Sequence, residues 1–95
     1  MLHILNKPPH SDAAMQMLNA LSNGDSVVLI EDGVQAALYP EWQGWAANTA
    51  SIFLLAEDAI SRGVHSVATS HGLPLIEMDG FIRLTEQNEK IISWY

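Results

Sequence analysis

Cysteine is missing altogether from the 95-residue sequence. That removes disulfides, thiolate metal ligands and any thiol nucleophile together. Basic residues are scarce: four Lys and Arg stand against eleven Asp and Glu, for a formal net charge of -7. A chain of this sign repels a phosphate backbone, so direct tRNA or DNA binding is not expected. No apolar run approaches the ~20 residues that cross a bilayer, so no membrane association is expected. The stretch from Met1 to Pro9 has neither a long apolar core nor a cleavage site, so it does not read as a signal peptide. A cytoplasmic location is the expectation. Glycine-rich phosphate loops are absent, since Gly24 and Gly33 stand singly. No serine lies in a Gly-x-Ser-x-Gly elbow. No cofactor is expected.

What remains is an apolar-rich chain, 48% hydrophobic, long enough for one domain over residues 1–95. It shows no linker, internal repeat or low-complexity tract. The stretch from Ser26 to Leu38 organises the rest. Val27-Val28-Leu29-Ile30 is continuously apolar, as in a strand covered on both faces within a parallel sheet. Glu31-Asp32-Gly33 ends it. Asp32 is suited to N-cap the short helical segment from Val34 to Leu38. Gly33 suits either an unusual backbone angle or a close approach. Such a turn lies at the carboxyl edge of an open α/β sheet, where ligands and partners bind.

Around this unit the elements alternate. Leu2–Leu5 reads as a strand stopped by Pro8 and Pro9. Ser11 or Asp12 caps a helix carrying Ala14, Met15, Leu18 and Leu21 at helical spacing, widened by Met17 and Ala20. Asn23-Gly24-Asp25 closes it as a C-cap and turn. The stretch 39–50 contains Pro40 and Gly44, which argue against a long helix. Residues 50–55 read as a third strand, and Glu57-Asp58 as the acidic start of a helix ending at Arg62-Gly63. Residues 64–72 read as a polar turn region, and 73–78 as a short strand. Asp79 caps a last helix with Phe81, Ile82 and Leu84 on its buried side. Residues 90–95 form a final strand. The alternation predicts an α/β fold, a mainly parallel sheet of about five strands with helices on both faces. Strand order is not readable at this level.

Chemistry-bearing patterns are sparse. Of the four histidines, His3, His10, His65 and His71, no two make the i, i+4 pair that places ligands on one helical face, and no metal is expected. His3 reads two ways, as a buried histidine with one hydrogen bond or as part of an interface. Glu31 and Asp32 would point to opposite sides of a strand, which suits capping better than paired acid/base work. Trp42 and Trp45 are three apart, and Trp94 sits near the carboxyl end. They read either as packing over their own sheet edge or as partner contacts, where aromatics are enriched. No catalytic residue is assigned.

In this order and spacing, Met1-Leu2-His3, Asp32-Gly33-Val34-Gln35-Ala36-Ala37, Glu57 to Gly63, Phe81 to Thr85 and Ser93-Trp94 resemble the TusB/DsrH family over the whole chain. The resemblance implies a DsrE-like fold and a place beside TusC- and TusD-like subunits in a dimer of heterotrimers. It also implies a sulfur relay from TusA-like to TusE-like proteins, ending in 2-thiolation of the tRNA wobble uridine. The working cysteine of that relay belongs to the TusD-like subunit. Some DsrH proteins carry a cysteine in the first helix, where this chain has Met15-Gln16-Met17-Leu18. That departure favours the TusB side. Tyr95 extends one residue past the tryptophan that commonly ends family members. Because a persulfide relay needs a thiolate at each carrier, a cysteine-free chain is expected to be a non-catalytic subunit. Its candidate subunit contacts are Asp32, Gly33, Trp42, Trp45 and Trp94. The competing readings are an independent enzyme using His and carboxylates, a stand-alone small-ligand binder, and a DsrH-like subunit in sulfur oxidation.

Overall fold

The computed structural model describes residues 1–46 and 49–95; Ala47 and Asn48 lie outside the described residues. Five strands form one sheet: β1 Leu2–Leu5, β2 Ser26–Leu29, β3 Ser51–Leu55, β4 Leu75–Ile76 and β5 Ile91–Trp94. Their order across the sheet is β4-β3-β2-β1-β5. All four pairings are parallel, and Leu5, for example, stands level with Leu29 on one side and Trp94 on the other. The helices are α1 Asp12–Ala20, α2 Gln43–Ala46, α3 Ala56–Ser61, α4 His65–Ser70 and α5 Met78–Gln87, with a 3-10 helix over Glu31–Leu38.

The chain steps from β1 to β4 in one direction, then reverses to reach β5. Right-handed crossovers therefore put the first three connections on one face and the last on the other. The first face carries Leu5, Val27, Leu29, Ile52 and Leu54, packed with Ala14 and Met17 of α1, Val34 of the 3-10 helix, Ala59 of α3 and Ala68 of α4. The second carries Leu2, Val28 and Leu55, with Phe81 and Leu84 of α5 alone against them. Helices do lie on both faces, but very unequally.

Several local readings change. Residues 64–72 contain a real helix, α4, because Val64 and Ala68, four apart, pack inward despite polar neighbours. Ser11, not Asp12, caps α1: its Oγ accepts from the N–H of Ala14 at 3.2 Å. The α1 C-cap is Leu21, and Asn23-Gly24 forms a separate turn with Gly24 at φ +87°. Asp79 lies inside the first turn of α5, whose N-cap is Glu77. Ile82 is exposed, because it stands about 100° around the helix from Phe81, off the inward side that Phe81 and Leu84 share.

Candidate partner-binding surface

The loop after β2 departs from its expected mechanics. Asp32 caps nothing; the 3-10 helix begins after Ile30 without a side-chain cap. The Asp32 carboxylate instead accepts from Arg62 Nε at 3.0 Å. The left-handed backbone angle falls on Glu31, at φ 48°. Gly33 supplies the close approach: a Cβ there would lie 2.5 Å from the carbonyl oxygen of Leu5. Glu31 donates its N–H to Asp58 Oδ2 at 2.6 Å, and Glu57 Oε1 accepts from the N–H of Met78 at 3.2 Å. Glu57 and Asp58 of α3, with Arg62 at its end, thus tie the segments that follow β2 and β4 to α3. Asp58 and Glu57 accept from backbone N–H groups, Asp32 from a guanidinium and Glu31 from the Asn6 amide, which leaves Glu31–Asp32 and Glu57–Asp58 without the arrangement of an acid/base pair.

Connections leave β3 and β4 toward opposite faces. At this point of reversal a crevice of about 240 Å³ opens between Ala56, Glu57, Ile60, Glu77, Met78 and Asp79. Doubly wound sheets commonly bind ligands there. Its carboxylates, however, lie at the N-terminal ends of α3 and α5, whose dipoles they complement.

The tryptophans divide into two places. Trp42 is 3% exposed and donates its indole N–H to the Pro9 carbonyl at 3.0 Å. Trp45, half-buried, donates to the Ala36 carbonyl at 3.0 Å and meets Trp42 edge-to-face at 5.5 Å. Both therefore pack within their own chain. One side of Trp42 nonetheless lines an open cleft of about 270 Å³, completed by Pro9, His10, Met15, Leu18, Glu41 and Gln43. Met15 is 58% exposed beside it, and Tyr39, 39% exposed, stands edge-on to the His10 ring at 4.8 Å.

Trp94 belongs elsewhere, on the edge strand β5. Its indole N–H donates to His3 Nδ1 at 3.1 Å, and His3 Nε2 lies 2.9 Å from Asp25 Oδ2. An indole nitrogen can only donate, so His3 Nδ1 accepts and Nε2 carries the proton toward Asp25. The histidine is fully buried and makes two hydrogen bonds, resolving its two readings toward the core. Asp25 also accepts from the N–H of Ser22 and from the amino group of Met1. Burial is the largest influence on its carboxyl and acts to raise it. The bonds from His3, Ser22 and the amino group outweigh burial and hold it below the usual value. Asp25 was legible only as a turn residue.

The five anticipated contact residues are thus not one cluster: Asp32 and Gly33 follow β2, Trp42 and Trp45 pack together, and Trp94 holds β5. The cleft beside Trp42 was foreshadowed by one signal. Ala14, Met17, Leu18 and Leu21 already complete an i, i+3, i+4, i+7 stripe, so Met15 is an apolar residue too many for the buried side of α1. Among the described residues no group of three or more His, Asp or Glu side chains is placed to hold a metal ion. No helix among them is long and apolar enough to cross a membrane.

Fold and surface together define a small parallel α/β domain whose polar groups mostly serve its own architecture. The DsrH like protein family model matches residues 7–91, and the chain belongs to that family. Protein TusB of Escherichia coli (strain K12) is 33% identical over 96 residues, spanning 99% of this chain and 100% of the relative. Protein TusB of Shigella boydii serotype 18 is 32% identical over the same span. Among solved structures, protein Tm0979 of Thermotoga maritima is 26% identical, with a TM-score of 0.67 and coverage of 95% of this chain and 97% of that one. A conserved protein of unknown function from Bacteroides thetaiotaomicron, BT1422, shares the fold with a TM-score of 0.68 at 19% identity, covering 97% and 92%.

Proposed function

We propose that this chain is a non-catalytic subunit of a TusBCD-type sulfur-relay complex. In this reading it assembles with TusC- and TusD-like subunits as a dimer of heterotrimers in the cytoplasm. The complex passes persulfide sulfur from a TusA-like donor to a TusE-like acceptor for 2-thiolation of the tRNA wobble uridine. The observation that carries the reading is the end-to-end similarity to TusB in a sequence without cysteine. A transferred sulfane sulfur needs a thiolate to hold it reversibly. The chain's contribution is therefore assembly, and the cargo travels on its partners.

Co-expression with TusC- and TusD-like chains, followed by size-exclusion chromatography, tests this. A stable complex containing all three chains is expected. A chain that elutes alone in their presence overturns the reading. In cells deleted for all three subunits, this chain by itself is expected to leave wobble thiolation absent. Restoration by the lone chain would defeat the assembly role.

A further inference from the structure

We propose that the cleft floored by Trp42 receives an apolar side chain, carried next to a lysine or arginine, from a neighbouring subunit of the hetero-oligomer. This inference rests on the subunit reading above and assigns it a surface. Size is the first reason. At about 270 Å³ the open cleft has room for one or two inserted side chains.

Chemistry is the second reason. Trp42 lines the cleft without a free donor, because its N–H is engaged by the Pro9 carbonyl. Pro9, Leu18 and the exposed, adaptable thioether of Met15 complete an apolar wall. A desolvated apolar anchor is the occupant such a wall rewards most.

Charge is the third reason. Among the described residues, exposed Glu41 is the only carboxylate lining the cleft, and no lysine or arginine lines it. With a chain net charge of -7, a basic residue flanking the anchor is complementary and an acidic one is repelled. His10 is held edge-on by Tyr39, which extends the aromatic surface at the mouth of the cleft.

The test uses the full chain co-expressed with its TusC- and TusD-like partners. Four variants are compared with the natural sequence: Met15→Glu and Glu41→Lys at the cleft, Ile60→Glu at the crevice between β3 and β4, and Ile82→Glu on α5. All four side chains are exposed, and circular dichroism establishes that each variant is folded. Met15→Glu is expected to weaken co-elution at least about tenfold, as for a central apolar contact. Glu41→Lys is expected to weaken it by about threefold and to flatten its salt dependence, as for a rim charge. Ile60→Glu and Ile82→Glu are expected to co-elute normally. A folded Met15→Glu chain that binds its partners as well as the natural one overturns the cleft assignment. So does equal loss in the Ile60 or Ile82 variant. Failure of the natural chain to co-elute at all overturns the subunit reading instead, so the two failures are distinct.

Discussion

The two faces of the sheet are built to different standards. On one, Leu5, Val27, Leu29 and Leu54 are wholly buried under α1, the 3-10 helix, α3 and α4. On the other, α5 crosses alone and contains no buried residue; Phe81 and Leu84 are its inward side chains, and Ile82 is 49% exposed. The difference comes from one reversal in strand order, between β4 and β5. Three crossovers fall on the first face and one on the second, whatever the apolar content of the strands. The first face also carries the polar pin of the molecule, in which Asp25 and Trp94 hold His3 from either side.

The contrast makes its largest claim about packing. Leu29→Ala should cost about 3–4 kcal/mol, the range for a filled core site that cannot collapse. Phe81→Ala should cost about half as much, since its half-buried ring leaves no closed cavity. Urea unfolding followed by circular dichroism measures both, and equal losses would show that the second face is as tightly built as the first. Next comes the pin. Asp25→Ala leaves the buried His3 Nε2 proton without an acceptor and removes the bond from the Ser22 N–H, a loss of about 2–3 kcal/mol in the same measurement.

The pH dependence of unfolding sharpens the same point. Asp25 ionises at lower pH folded than unfolded, so the unfolded chain binds more protons between the two values and stability rises with pH there. Its contribution should be complete above about pH 4, the unfolded aspartate value, and fade as pH falls through the lower folded value. Asp25→Ala should shrink that acid-side loss; an unchanged profile would remove Asp25 as its source. The smallest effect belongs to Trp94→Phe. It keeps the ring but removes the donor to His3 Nδ1, for about 1 kcal/mol. Hydrogen exchange should show the loss first in β5, and unaltered β5 protection would mean the bond does not hold that edge.

Much of this was legible from residue order. The strands over 2–5, 26–29 and 51–55 are short, mostly apolar runs between turn residues, and that local signal survives any packing. The helix after 64 carries little sequence signal because its buried residues Val64 and Ala68 are few and small among polar neighbours. The surface is less legible in the sequence than the fold. Trp42 and Trp45 were recognisable as unusual, but not that Trp42 lies under a cleft, since that depends on Pro9, thirty-three residues earlier.

The sequence by itself determined the class of the fold, the absence of any thiol and the net acidic charge, because each follows from local pattern or from counting atoms and charges. The tertiary structure alone decided which face of the sheet is covered, that Asp32 reaches Arg62, and that His3, Asp25 and Trp94 meet. Those contacts join residues between 22 and 91 positions apart. Closing such loops depends on the order in which the strands stack, which no window of neighbouring residues encodes.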